Sequence, residues 1–411
     1  MKRFNRYNHL TLELCTQLNR LKYVWATSRG KSYCHFPPRK IAIEVTSSCN
    51  LRCIHCAHGT LPDGTVRMTR PQTMMDFDLF KKVMDEASEF KNSTKIIFAL
   101  MGEPLLHKSL PDMVAYAHSK GLWTQVNTNC TLLSREKGKA LIDAGLDFIY
   151  LSLDGITKET YERIRIRSDF DKIINNILNF IELKFEKGAE DLIIHVGMTG
   201  EIINRSEIDI FVKEFSKLPI NAVYSPLLFN WNGAVEWVNP ELNTLQTESS
   251  ANYPVCNSSY DICGIQSNGN FIPCIYDHDG KYVSGNIRNH TIMELWNNER
   301  TQNFRRSINN RNYTAIEANG SLCSQCTLLW NPHYQVNPSL MGNLKHVYKY
   351  TSRAFSDFFN TTDRKKRLYE KYLFLRGQRE EFLEGLGKQA TPKKSKYYEV
   401  VEKEGVLEVL L

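Results

Sequence analysis

From residue 41 onward the chain alternates short β-rich apolar runs with helical patterns, and this alternation constrains the fold more than any other feature. The strand candidates are IAIEVT (41–46), KIIFAL (95–100), WTQVN (123–127), FIYLSL (148–153), DLIIHV (191–196) and NAVYSPLLF (221–229). Between them lie FDLFKKVMDEASEF, LPDMVAYAHSKG, SREKGKALIDAG, DKIINNILNFIELKFEKG and EIDIFVKEFSKL, each with apolar residues three and four apart. Strands joined by helical crossovers imply a parallel sheet with helices outside it, an α/β fold. Such folds build their sites at the C-terminal ends of strands. Here those ends read as a cysteine loop, then MGEP, NTNC, SLDG, GMTGE and FNWNG.

The cysteine loop is CNLRCIHC, with Cys49, Cys53 and Cys56 spaced C-x3-C-x2-C. Thiolates are the standard ligands of iron–sulfur clusters, and three of them leave one iron of a four-iron core open. A zinc loop is the competing reading, and it would need His55 or His58 as a fourth ligand. Eleven cysteines argue for metal ligation if the chain is intracellular. The N-terminus MKRFNRYNHLTLELC lacks the apolar stretch of a signal peptide, and no run approaches the ~20 residues of a membrane span, so the expected location is the cytoplasm. With 411 residues and 42% hydrophobic content, two or three globular domains are expected. The net charge of +7 is modest for this length, and nucleic acid is not indicated.

On the CNLRCIHC loop the chain resembles the radical S-adenosylmethionine (SAM) superfamily. The resemblance implies that the amino and carboxylate groups of SAM chelate the open iron. A reductant such as flavodoxin or ferredoxin then supplies the electron that cleaves SAM to methionine and a 5′-deoxyadenosyl radical. It places His55 beside the adenine, and Gly102, Glu103 and Pro104 at the SAM ammonium, although Met101 stands where a first glycine is often found. Thr128 and Asn129 fall where relatives read threonine–asparagine–glycine, with Cys130 in the glycine position. Ser152 and Asp154 resemble the strand end that reaches the SAM ribose or carboxylate, with Arg163 or Arg165 as a second contact.

A second cysteine set follows the alternation. Cys256 precedes DICGIQSNGNFIPC, a hairpin pattern with its turn at Asn268-Gly269 and Cys274 at its end, and Cys323 and Cys326 come later as C-x2-C. This order resembles the auxiliary-cluster domain SPASM in its shortened Twitch form, and implies one auxiliary 4Fe–4S cluster ligated by Cys256, Cys274, Cys323 and Cys326. A zinc ribbon with the same ligands is the alternative. Cys15, Cys34, Cys130 and Cys263 remain, and unassigned cysteines are most often small buried hydrophobes. Cys263 is nevertheless the candidate hydrogen-atom donor, and Asp277, with His278 and Asp279, the candidate proton acceptor.

The expected organisation is an N-terminal extension (1–40), a partial (β/α)6 TIM-like barrel (41–235), a Twitch-like domain (236–330) and a helical C-terminal extension (331–411) with a polar joint near KQATPKKSK, where a substrate cap is conceivable. The expected function is oxidation of a carbon in a small polar substrate such as a sugar or cyclitol, with the auxiliary cluster taking the leftover electron. Epimerisation and ribosomal-peptide modification are the enzymatic alternatives. A metal-stabilised RNA-binding module is the competing class.

Overall fold

The six apolar runs become parallel strands in sequence order: β1 (Lys40–Ile43), β2 (Lys95–Phe98), β3 (Trp123–Thr128), β4 (Phe148–Ser152), β5 (Ile193–Gly197) and β6 (Ala222–Pro226). The computed structural model describes residues 6–317 except 62, 202, 227, 232–234 and 236–254. Beyond these it describes 323, 324, 326–330, 348, 351, 352, 361–386 and 406–410. The polar joint at KQATPKKSK and most of the segment before residue 361 lie outside the described residues.

Side chains alternate across each strand. Ile41, Ile43, Ile96, Phe98, Val126, Ile149, Leu151, Ile194, Val196 and Val223 are buried in one continuous core with the helices. The helices are α2 (Phe77–Ser88), α3 (Leu110–Ser119), α4 (Arg135–Asp143), α5 (Lys158–Ile164), α6 (Phe170–Glu186) and α7 (Ile208–Phe215). Helix α6 shows why these segments fold as they do: Asp169 caps its first turn by accepting from the Lys172 N–H, and Ile173, Ile174, Ile177, Leu178 and Ile181 form its buried face. Removing such a cap typically costs about 1 kcal/mol. The opposite faces of the strands carry Gln125, Asn127, Tyr150, Ser152 and Tyr224, all half-buried, so the inside of the partial barrel is polar. At the N-terminal ends of the strands, helix α1 (Arg6–Ser28) lays Leu12 against Trp123 and pairs Glu13 with Lys95 at 3.0 Å.

The boundary expected near residue 236 does not divide the sheet. Strand β7 (Ile262–Ile265) pairs in parallel with β1, and β8 (Asn270–Ile272) and β9 (Gly285–Asn286) extend it antiparallel. With β10 (Val406–Leu410) antiparallel on β6, one ten-stranded sheet runs through both halves of the chain. The hairpin turn falls at Asn268-Gly269 as expected, and Gly269 takes φ +91°, which favours glycine.

Helices α8 (Ser258–Asp261), α9 (Ile292–Asn297), α10 (Glu299–Asn309) and α11 (Thr314–Glu317) build the rest of the second half. A reciprocal cap starts α9, where Thr291 accepts from the Glu294 N–H and Glu294 accepts from the Thr291 N–H. Trp296 is fully buried, donates to the Phe36 carbonyl at 3.0 Å and lies under the Arg305 guanidinium at 4.1 Å. The segment before β1 is thereby tied into the second half of the molecule. Helix α12 (Thr361–Leu386), interrupted at Gln378, packs across α6 and α7, with Tyr372 stacked on Phe185 at 4.6 Å. Among the described residues no helix is long and apolar enough to cross a membrane.

Candidate active site

The cysteine loop hangs from the end of β1. Main-chain bonds from Arg52 to Ile166 and from Ile54 to Ile164, each 3.0 Å, fasten it to the end of α5. Arg67 draws the carbonyls of Ile54 (3.1 Å) and Cys56 (3.3 Å) together, in space that only a glycine at position 59 leaves open. The three thiols are free and partly or fully buried, and Cys49 and Cys53 feel the charge of their neighbours. Burial pushes the Cys49 thiol up to about 12 and raises Cys53 and Cys56 as well, while the Arg165 guanidinium acts the other way. A thiol set with a cation beside it suits a cluster whose binding deprotonates its ligands. Among the described residues no three His, Cys, Asp or Glu side chains close on a single ion.

The end of β2 is built around Gly102. Its φ is +83°, and any Cβ there would overlap the Thr46 carbonyl oxygen, so only glycine fits. Glu103 follows, donates its N–H to the Ser48 carbonyl, and points its carboxylate inward. One oxygen accepts from Thr128 Oγ1 (2.7 Å) and the Leu105 N–H (3.0 Å), and the other from the Asn129 N–H (2.7 Å). Burial raises this carboxyl above the usual range, and the three donors offset part of that rise. Pro104 opens a short 3-10 turn, Pro104–Leu106, for which Glu103 is the cap. Asn129 reaches on to Asn50 (3.1 Å) and lies 3.9 Å from Cys49 Sγ. Cys130 holds φ +66°, so the left-handed geometry of the usual glycine is kept with a cysteine in its place.

At the ends of β4 and β5 a buried ionic network forms. Arg165, not the exposed Arg163, turns inward and pairs with Asp154 at 2.6 Å. Although burial disfavours its charge, Arg165 and His55 hold the Asp154 carboxyl below the usual carboxylate range. His55 lies between Asp154 (3.3 Å) and Glu201 (2.9 Å), and its carbonyl accepts from Trp231 Nε1 at 2.9 Å. Both ring nitrogens are therefore engaged, which removes His55 as a fourth zinc ligand and makes its ring edge a clamp between the loop and two strand ends. Glu201 was missed by sequence reasoning; its place at a strand end, in GMTGE, was the available signal. Its second oxygen is buried without a hydrogen-bond partner. His58 is also buried with neither ring nitrogen partnered, and burial beside Arg52 and Arg70 pushes it down to about 4. Ser152 stands on the inner face of β4, in register with Gly197.

The second cysteine set comes together as well. Cys256, Cys274, Cys323 and Cys326 share one cluster with Tyr282, Phe304, Ile308, Tyr313 and Ile316. Burial pushes Cys256 up to about 11 and raises Cys274 and Cys323 further, and for Cys274 and Cys323 the charges of the neighbouring thiols add to it. Asp277 does not open into a cavity: its oxygens accept the N–H groups of Lys281 (2.8 Å) and Tyr282 (2.7 Å), closing the loop after Cys274, and burial raises its carboxyl. Asp279 accepts from the Thr69 N–H and hydroxyl, and the His278 carbonyl accepts from Arg70, which also pairs with Glu44. An aromatic wall links the two cysteine loops, since Trp231 packs in one cluster with Cys56 and Tyr276 lies two residues after Cys274. Phe229 meets Trp231 at 4.6 Å and Tyr276 at 4.5 Å, and the His278 ring is edge-on to Trp231 at 6.4 Å.

Cys263 is the placement that departs most from expectation. It lies on β7 opposite Ile41, so it shares the outer layer with Ile41, Ile265 and Tyr260. It feels Arg305, and burial raises its thiol. It does not face the barrel interior, as a hydrogen-atom donor there must.

A family model described as the radical SAM superfamily matches residues 43–211, and an iron–sulfur cluster-binding domain model, SPASM, matches residues 256–327. The chain is 25% identical over 339 residues to the tungsten-containing aldehyde ferredoxin oxidoreductase cofactor-modifying protein of Pyrococcus furiosus, covering 70% of this chain and 86% of that protein. It is 25% identical over 303 residues to the AdoMet-dependent heme synthase of Methanosarcina barkeri, covering 64% and 82%. Among solved structures, Streptococcus suis SuiB aligns with a TM-score of 0.51 at 14% identity over 71% of each chain, a likeness of fold.

Proposed function

This chain belongs to the radical SAM superfamily and carries an iron–sulfur SPASM domain, and on that premise we propose that it dehydrogenates one carbon of a small, polar, ring-shaped substrate such as a sugar or cyclitol. Its cofactors are SAM and a 4Fe–4S cluster in the barrel, with further iron–sulfur in the SPASM domain. Once reduced, SAM and the barrel cluster supply a hydrogen-abstracting 5′-deoxyadenosyl radical, and the second cluster supplies a one-electron acceptor.

The chain's own residues do the rest. Cys49, Cys53 and Cys56 hold the first cluster, and Glu103, already fixed by Thr128, Leu105 and Asn129, offers its remaining lone pairs to the SAM ammonium. Asn129, Ser152 and Arg165 bound the same space. The substrate ring would stack its C–H face on Phe229, Trp231 and Tyr276, while Gln125, Asn127, Tyr150 and Tyr224 offer amides and hydroxyls to its substituents. Of the polar residues after Cys274, His278 adjoins this wall. Burial keeps its ring neutral, so it is the proton acceptor we assign. Asp277 is then a positioning residue for that loop.

The observation that carries dehydrogenation is the composition of the second site, where buried Cys323 and half-buried Cys256, Cys274 and Cys326 supply four thiols packed against aromatic and aliphatic side chains. A fully ligated cluster can store an electron but offers no position to a substrate. Epimerisation needs a protein hydrogen donor, and Cys263, Cys34 and Cys130 all lie in the outer core.

The test is anaerobic reconstitution with SAM and a flavodoxin or ferredoxin reductant against a panel of sugars and cyclitols. We expect substrate-dependent 5′-deoxyadenosine and a product two hydrogens lighter. Deuterium entering the reacting carbon from deuterated water would instead establish epimerisation.

A further inference from the structure

We propose that the cleft over helix α10 is the docking site of an acidic one-electron carrier protein, which removes from the auxiliary site the electron left by each substrate oxidation. This rests on the acceptor role assigned above. The cleft has a volume of about 680 Å³ and is lined by Glu299, Arg300, Arg306 and several asparagines, with Tyr282 and Ile316 as its buried floor. A small-molecule site of that size is usually closed and largely apolar. This one has exposed arginines at its edge, and its floor residues belong to the apolar cluster that encloses Cys256, Cys274, Cys323 and Cys326.

Tyr282 connects the two. The Arg300 guanidinium lies 4.7 Å from its ring centre, Phe304 packs at 4.9 Å, and its hydroxyl donates to the Arg300 carbonyl at 2.9 Å. Its main-chain N–H is held by Asp277, three residues beyond the cluster ligand Cys274. Tyr282 and Ile316 thus belong both to the cleft and to the cluster that holds the ligand set. At the rim the exposed Arg300 and Arg306 face a single carboxylate, Glu299, so the rim is net positive and attracts an anionic partner. Electrostatic complementarity of this kind chiefly raises association rates and is screened by salt.

The electron balance is simple. SAM cleavage consumes one electron from the reductant, and the substrate radical returns one on losing its proton. The auxiliary site passes that electron to the oxidised carrier, which is reduced by one electron with no bond made or broken. An acidic flavodoxin can serve at both ends of this cycle.

The experiment uses the full-length holoprotein and purified oxidised flavodoxin. Calorimetry should give binding that weakens as salt rises, and the Arg300→Glu/Arg306→Glu double variant should weaken it roughly tenfold or more. Arg288→Glu, a charge reversal on an exposed residue outside the cleft, should leave it unchanged, which controls for a general charge effect. In the double variant, single-turnover product from enzyme given one electron at the barrel site, with the auxiliary site left oxidised, should persist, while flavodoxin-dependent reoxidation of the auxiliary site slows. Unchanged flavodoxin affinity in the double variant overturns the docking site. Absence of oxidised product in the wild-type single turnover overturns the acceptor role itself.

Discussion

The barrel site draws its three cysteines from eight consecutive residues, 49–56, whereas the auxiliary site gathers four from a span of 71 residues, 256–326. The first is a loop fixed by bonds to its immediate surroundings, and its open side carries charge and hydrogen-bonding groups: Glu103, Asn129, Arg165 and Asp154. The second exists only once the hairpin, α10 and the C-x2-C turn have met, and its surroundings are Tyr282, Phe304, Ile308, Tyr313 and Ile316. Similar ligands thus serve different ends. Polar neighbours with unused hydrogen-bonding capacity suit a site that binds and activates a cofactor. An aliphatic and aromatic enclosure suits one that only takes and gives up electrons.

The sharpest way to break this contrast is to empty one site and watch the other. Replacing Cys49, Cys53 and Cys56 with alanine together should abolish SAM cleavage and leave about four irons in the protein, because the ligand sets are separate. Iron analysis with Mössbauer spectroscopy reads this directly, and residual SAM cleavage would refute the assignment of the loop.

Removing both clusters with a chelator should separate the regions in stability. Binding energy is folding energy where a site is assembled from distant ligands. Hydrogen exchange should therefore rise strongly around Tyr282, Phe304 and Tyr313, and little in β3 and β4. Equal loosening of both regions would mean that the barrel loop is as dependent on its cluster as the auxiliary site.

A smaller effect sharpens the polar side of the contrast. Glu103→Gln keeps the shape but removes the charge facing the SAM ammonium, and its amide confronts donors that now find a carboxylate. Loss of a charge-assisted bond should weaken SAM binding by about 1.5–3 kcal/mol. Titration of SAM into the reduced protein measures it, and unchanged affinity would reduce Gly102-Glu103-Pro104 to a turn.

The parts legible in the sequence were those written locally. Strands β1–β6 fall within a few residues of the apolar runs because each is a short outward-facing hydrophobic stretch bounded by helices. The cysteine loop and the Asn268-Gly269 turn are contiguous signals. What escaped depends on pairing between distant segments. Strand β7 joins β1 across more than two hundred residues, and nothing within ICGI says which edge it will meet. The face of Cys263 follows from that register, since a shift of one residue would turn it from the outer core to the interior. The His55 clamp needs Asp154 and Glu201 brought from the ends of two other strands. Arg163 and Arg165 differ by only two positions, and the end of α5 decides which turns inward.

The contrast between an open, polar site and a closed, apolar one is tested most directly by electron paramagnetic resonance on two single-cluster variants, reduced with and without SAM. In the Cys323→Ala/Cys326→Ala variant, the remaining barrel cluster should change its spectrum when SAM is added. In the Cys49→Ala/Cys53→Ala/Cys56→Ala variant, the remaining auxiliary cluster should give the same spectrum with and without SAM. A SAM-dependent change in the auxiliary signal, or none in the barrel signal, would contradict the division of roles between the two sites.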